Sequence, residues 1–414
     1  INEFDSGILN SSAKMSGQGD DDDLVYIEDM DELIDVYDAE EIENDALEID
    51  HAEGIEAVCV FRGHKQGSVF CGSMSKNGKF AITGGEGDEA YVWDTTSGEI
   101  ILDCTGHKDS IIFAEFNSDE SYVATGDMNG MIQVWRMSDK MRIWEYNMND
   151  AMWLKWHAAA NVLIAGSVEG EVYMWKVPDG DCKVFQGYRC RAEAGAIFPD
   201  GKRIAVGYED GTIRVIDLKT SNVISSISSN MGHVSTITTL DCHKDNNLIL
   251  SAAIDGKTIL SVSNTGKIIS VLQSLNSSGR NNIVNEEDDE NSRNEGDNNW
   301  VETATFCKDP EFNVAATGTI NGEIFIWDIS KQALRQKLEQ DSGITKLVWE
   351  GNTSILFSAG LDGILRSFNA RTGQCMRMYT GHTACILDLY ISENGEKALT
   401  TSDDFTARIF DISS

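Results

Sequence analysis

The chain has 414 residues, of which 41% are hydrophobic, and its 68 acidic side chains outnumber 33 basic ones to give a formal net charge of −35. So negative a balance disfavours direct binding to nucleic acid or to an anionic membrane, because phosphates are repelled, and favours a basic partner or plain solubility. No apolar run approaches the ~18 residues of a membrane span, and the N-terminus lacks a basic-then-apolar leader, so neither a spanning helix nor a secretory signal is expected.

Residues 1–14, INEFDSGILNSSAK, precede Met15 and read as an appended stretch unrelated to the rest of the chain, which takes no part in the expected fold. Residues 20–50, DDDDLVYIEDMDELIDVYDAEEIENDALEID, hold sixteen Asp or Glu and no Lys or Arg. High net charge predicts a disordered acidic arm over residues 1–53. A tail serving solubility alone has no use for Leu24, Val25, Tyr26, Ile27, Leu33, Ile34 and Tyr37. Acid mixed with apolar residues is also what a segment carries when it folds onto a basic, partly apolar client, and both readings stay open.

From residue 54 onward an internal repeat organises the chain. An acidic or amide residue, usually followed by Gly, recurs just before a β-like run in GDMNGMIQVW, GSVEGEVYMW, GYEDGTIRVI, AAIDGKTILS, GTINGEIFIW, AGLDGILRSF and TSDDFTARIF, with GGEGDEAYVW as a variant first unit. The aligned positions Gly87, Asn129, Glu169, Asp210, Asp255, Asn321, Asp362 and Asp404 are spaced 42, 40, 41, 45, 66, 41 and 42 apart. The long interval contains an acidic insertion at about 275–299, whose run EEDDENSRNEGD (286–297) carries a net charge of −6.

Each xDG or xNG step is a tight hairpin signal, because primed turns need the positive φ that Gly and Asn tolerate. Each unit adds a run upstream (ILDLYIS) and a further turn (TSGE, NTGK, RTGQ) and strand downstream, so four strands fill each period. The expected fold is all-β: one eight-bladed β-propeller over residues 54–414. The chain ends on the third strand of unit eight, TARIFDISS, while a spare strand-like segment, AVCVFR (57–62), precedes unit one. Pairing of these N- and C-terminal strands would close the ring.

GH dipeptides at 63–64, 106–107, 232–233 and 381–382, with WD at 93–94 and 327–328, resemble WD40 repeats. The resemblance implies a hydrogen-bonded brace in which a His, a Ser or Thr, a turn Asp and a Trp hold each blade. Here it would use His64, His107, His233 with Asp255, and His382 with Asp404; Phe410 and Ser261 replace the Trp in two blades, and units three, four, six and seven lack the GH histidine. As a set, AITGGEGDEAYVW, GHKDS, ATGDMNG, MWKVPDGDCKVFQG, PDGKRIAVGYEDGTIR, LDGILRSFNARTG and GHTACILD resemble the angio-associated migratory cell protein family over roughly 60–410. More distant is a likeness to the fungal WD40 ribosome-assembly proteins that escort one large-subunit ribosomal protein. Both imply a propeller that binds a protein client without catalysis.

Nothing in the sequence signals a cofactor or metal. The recurrence of four histidines at one repeat position points to structure, GGEGDE is followed by no GK[ST], and the DDDD run lacks the alternation and central Gly of a calcium loop. Nine cysteines without a CxxC read as reduced thiols of a cytoplasmic protein, and the nucleus also fits. Glu86, Asp88, Asp109, Asp127, Asp150, Glu169, Glu209 and Asp341 fall in loops expected at one mouth of the channel, where they would steer in a Lys/Arg-rich segment; Trp153 is taken as a rim aromatic. The expectation is a monomeric, non-enzymatic escort for a basic client, such as a large-subunit ribosomal protein. The alternative is a WD40 signalling scaffold in cell migration.

Overall fold

The repeat's turns fix the architecture. In the computed structural model, which describes residues 57–275 and 300–413, the hairpin glycines take left-handed backbone: Gly211 has φ +83° and Gly322 φ +90°. A Cβ there would lie 2.4 Å from the His233 carbonyl oxygen and 2.3 Å from that of Gln340. Glycine is needed twice over, for φ and for the close approach of the loop leading into the next blade. The predicted arm over 1–53 and the insertion beyond residue 275 lie outside the described residues.

The strands gather into eight separate four-stranded antiparallel sheets. Seven follow the chain: the first blade is β2 (Val69–Met74), β3 (Phe80–Gly85), β4 (Ala90–Asp94) and β5 (Ile100–Cys104). The eighth joins β1 (Ala57–Phe61), as its outer strand, to β32 (Ala407–Asp411), then β31 (Lys397–Ser402) and β30 (Ile386–Ile391). Its register sets Cys59 opposite Ile409 and Phe61 opposite Ala407. The chain therefore forms an eight-bladed propeller, closed by the N- and C-terminal strands as the sequence predicts.

The core lies between blades. Trp153 and Ile164 of blade three pack with Ile204, Val206 and Tyr208 of blade four. Every innermost strand carries a bulge after its first residue, as between Ala151 and Trp153 and between Ile386 and Asp388. Bulges bend and twist a strand, which suits eight edges converging on one axis.

Inner-strand N–H groups at the channel have no ladder partner, and neighbouring blades supply one. Gly72 N–H donates to Asp388 (3.1 Å), Phe116 N–H to Ser73 (3.2 Å), Phe306 N–H to Asp241 (2.7 Å) and Leu347 N–H to Thr303 (3.3 Å). Lys346 of blade seven also pairs with Asp388 of blade eight. Burial pushes the Asp241 carboxyl above its usual range, against hydrogen bonds that pull it down. These are seams between blades, and the sequence reading does not single them out.

Candidate partner-binding face

Antiparallel order within a blade sends two kinds of loop to one face of the ring: the turn joining the two middle strands, and the connection from each outer strand to the next inner strand. Both kinds are held from below. In blade eight His382 Nδ1–H donates to Asp404 Oδ2 (2.8 Å), and Thr400 Oγ1–H donates to His382 Nε2 (2.7 Å). Asp404 also accepts from the N–H groups of Thr383 and Thr406 (3.1 and 3.0 Å), so one carboxylate fixes the incoming loop and the hairpin together. Burial alone would raise this carboxyl, but the His382 and Thr406 contacts hold it well below the usual carboxylate range.

Blade five repeats the arrangement, His233 lying 2.9 Å from Ser251 and 3.2 Å from Asp255. In blade one His64 meets Thr83 (2.9 Å), which also accepts from the Trp93 indole (3.1 Å). In blade two the braced acid is Asp127, 2.9 Å from His107. The aligned hairpin residue there is Asn129, two positions later, which is why the sequence reading places Asp127 on the open rim. The structure corrects that assignment: Asp127 is fully buried.

Three blades without a GH histidine fill its place with other residues. In blade seven Ser358 donates to Gln340 (2.8 Å), at the same eighteen-residue separation as His382 and Thr400. In blade six Thr317 donates to Gln273 (3.1 Å) and accepts from Trp327 (3.0 Å). In blade four Tyr188 donates to Asp210 (3.1 Å) across the twenty-two residues that separate His233 from Asp255. The signal that could have found those of blades seven and four is a fixed offset from a Ser or Asp, read without regard to residue type; in blade six the insertion stretches the separation to 44 residues.

The remaining acidic candidates do lie in the loops of this face. Glu86, Asp150, Glu169, Glu209 and Asp341 are exposed, and Asp88 and Asp109 are half-buried. Glu86 accepts from Ser68 N–H (3.2 Å), Asp109 accepts from Ser110 N–H (2.8 Å), and Glu209 N–H donates to the Arg191 carbonyl (3.0 Å). Asp88 (φ +60°) and Asp150 (φ +32°) occupy tight turn conformations. The face adds acids that sequence reasoning missed: Glu89, Glu171, Glu323 and Asp403. Against them stand Arg62, Lys65, Lys108, Arg189, Arg191 and Lys257. The turns of the opposite face are mixed, with Lys76, Lys79, Lys140, Lys202, Lys219, Lys244, Lys267 and Lys308 set among their acids.

Trp153 is not a rim residue. It is 5% exposed and wedged between blades, where a Cβ at Gly166 or Gly195 would come within 2.3 or 2.6 Å of its indole. The missing GH motif suggests an altered, open loop, whereas the indole instead fills the space two glycines leave. Trp156 is also buried, its indole N–H donating to the Glu115 carbonyl at 3.1 Å. Among the described residues, no His, Cys, Asp and Glu cluster could hold a metal ion, and no helix is long and apolar enough to cross a membrane.

Comparison with known proteins agrees with this geometry. The model of the WD domain, G-beta repeat, matches residues 55–94, 98–136, 224–260 and 373–411, the four stretches that hold the GH histidines. The model of the anaphase-promoting complex subunit 4 WD40 domain matches residues 183–239. Angio-associated migratory cell protein from Homo sapiens is 41% identical over 344 residues, covering 83% of this chain and 77% of that protein. The chain belongs to this family of WD40-repeat proteins. Ribosome assembly protein SQT1 from Saccharomyces cerevisiae is 22% identical over 427 aligned residues, 96% of this chain and 93% of that one. The crystal structure of Chaetomium thermophilum Sqt1 bound to the N-terminus of the ribosomal protein L10 superposes with a TM-score of 0.72 at 20% identity, covering 86% of this chain and 100% of that one, and shares the fold. The family's members are WD40 propellers, and a face built of loops suits protein binding.

Proposed function

We propose that this chain is a non-enzymatic escort for a strongly basic protein client, most simply a newly made large-subunit ribosomal protein, held on the acidic loop face. The observation that carries the reading is the asymmetry between faces: Glu86, Asp88, Glu89, Asp150, Glu169 and Asp341 sit in loops of one side, where acids outnumber Lys and Arg, while the turns of the other side mix the two signs more evenly. Like charges brought together around a channel mouth add their potentials, steer in a Lys/Arg-rich segment and repel RNA phosphates, which is what shielding a basic client requires. The distant likeness to Sqt1, one of whose structures holds the N-terminus of L10, supports this choice of client. On this reading the chain acts as a monomer, without cofactor and without direct contact to nucleic acid, in the cytoplasm and, where assembly demands it, the nucleus.

A second reading has its own support. The 41% identity to angio-associated migratory cell protein suits a scaffold in cell migration equally well. Affinity capture from lysate separates the two, comparing the intact chain with an Asp88→Lys/Glu169→Lys/Asp341→Lys variant. The escort reading expects one basic ribosomal protein at near-stoichiometric yield, lost with the variant and at high salt. Equal recovery of signalling proteins by both forms would favour the scaffold.

A further inference from the structure

The hairpin of blade eight departs from the others at one position. In the turn joining the two middle strands, six blades place a glycine with φ between +73° (Gly256) and +90° (Gly322), and blade one places Asp88 (φ +60°). Blade eight places Phe405 there, at φ +66°. Gly reaches left-handed backbone readily and Asp tolerates it, but a bulky side chain adopts it only under strain. No burial offsets that strain: Phe405 is 48% exposed and belongs to neither apolar cluster of its blade.

The turn that carries the ring is firmly held. Thr406 N–H donates to Asp404 (3.0 Å), and Asp403 N–H donates to the Cys385 carbonyl (3.0 Å). A ring on so fixed a turn meets a partner with little left to order. Beside it, two carboxylates converge on Ser68 in the incoming loop of blade one: Asp403 accepts from the Ser68 hydroxyl and Glu86 from its N–H (3.2 Å). Asp403, Glu86 and Glu89 are exposed and Asp88 is half-buried, against Arg62 and Lys65 of that same loop, so acids lead by four to two. Asp404 and Arg408, both buried and 3.9 Å apart, offset each other.

We infer that Phe405 anchors an Arg or Lys side chain of the basic client, which lies over the ring and reaches the carboxylates of Asp403 and Glu86 with its charged end. The inference rests on the basic-client reading and adds to it a residue that the sequence reading does not single out. A cation is drawn to the face of an aromatic ring, and the planar guanidinium of Arg stacks there best. Glycine would serve the turn better in every respect but this one, and a strained conformation held at an exposed position marks function. The neighbouring acids decide the occupant. An apolar pocket closing over the ring would take water from Asp403 and Glu86 and give nothing in return, and a second copy of this chain would bring its own acidic face against them.

Calorimetry of the full chain with a synthetic peptide of alternating Arg and Ser tests this. Phe405→Gly should weaken binding about fourfold, the loss expected when one cation leaves an exposed ring. The same variant should keep its thermal midpoint or raise it, because the turn is relieved of strain. Phe405→Trp should hold or improve the affinity, and Phe405→Leu should lose it as the Gly variant does, since only a ring offers a π face. A Gly variant that binds the peptide as well as the parent overturns the anchor and leaves the basic-client reading standing. A Leu variant that matches the parent overturns the assigned occupant, as does self-association in sedimentation that the Gly variant abolishes. A lowered midpoint in the Gly variant shows the ring to serve the fold and overturns the inference. Failure of the parent to bind the peptide overturns the anchor and the basic-client reading together.

Discussion

Blades seven and eight do the same mechanical job with different chemistry. Blade eight ties its incoming loop to its hairpin through His382 and Asp404, both buried and both titratable. Blade seven uses Gln340 and Ser358, both neutral, and leaves its hairpin acid Asp362 to pair with Arg366 (2.6 Å) within its own sheet. The lesson is that the repeat keeps a connection, from a side chain beneath the incoming loop to a hydroxyl in the second strand, while the group that makes it can change. A carboxylate extends that connection to the hairpin and ties the brace to pH; an amide does neither.

Breaking blade eight should give the largest effect. Asp404→Ala leaves His382 and the N–H groups of Thr383 and Thr406 without their acceptor in a buried site, and should lower unfolding free energy by about 3 kcal/mol in denaturant titration. Acid sharpens the contrast next. Burial lowers the His64 imidazole to about 4 and lowers that of His382 as well. Below the ordinary value of about 6.5 the unfolded chain takes up protons that the folded chain refuses, so this stability is complete above about pH 6.5 and lost as pH falls toward 4. For His64 alone the loss should reach about 3 kcal/mol at pH 4, and a His64→Gln variant should show a correspondingly flatter stability profile over that window. Asp404, depressed below the usual range, adds a further loss only as pH falls below about 4. The smallest effect belongs to blade seven: Gln340→Ala should cost about 1 kcal/mol by the same titration, with no change in pH dependence, because the bond it removes is between neutral groups.

The ring was legible because its turns are dictated locally: Gly211 and Gly322 stand where backbone sterics allow little else, and their period counts the blades. Ring closure was legible because AVCVFR and TARIFDISS were each one strand out of step with the repeat. Side-chain roles set by three-dimensional contact were not legible in the same way. Asp127 and Asn129 are two residues apart in a turn, and only the distance to His107 tells which is the brace and which faces solvent. Trp153 resembled a rim aromatic because its blade lacks a motif, yet its surroundings, Gly166 and Gly195, come from two other strands. The Gln340 brace stayed hidden because alignment by residue letter looks for His.

The pairing of β1 with β32 also bears on how the protein is made. Ala57 lies opposite Phe410, so the outer strand of the last blade leaves the ribosome ~350 residues before its partner exists. Throughout that interval the growing chain carries a strand with no sheet to join, and the other blades cannot close their circle. Contacts so remote in sequence form slowly, and unpaired edges are prone to join the wrong neighbour. For a protein proposed to guard another nascent chain, the period of greatest vulnerability is its own synthesis.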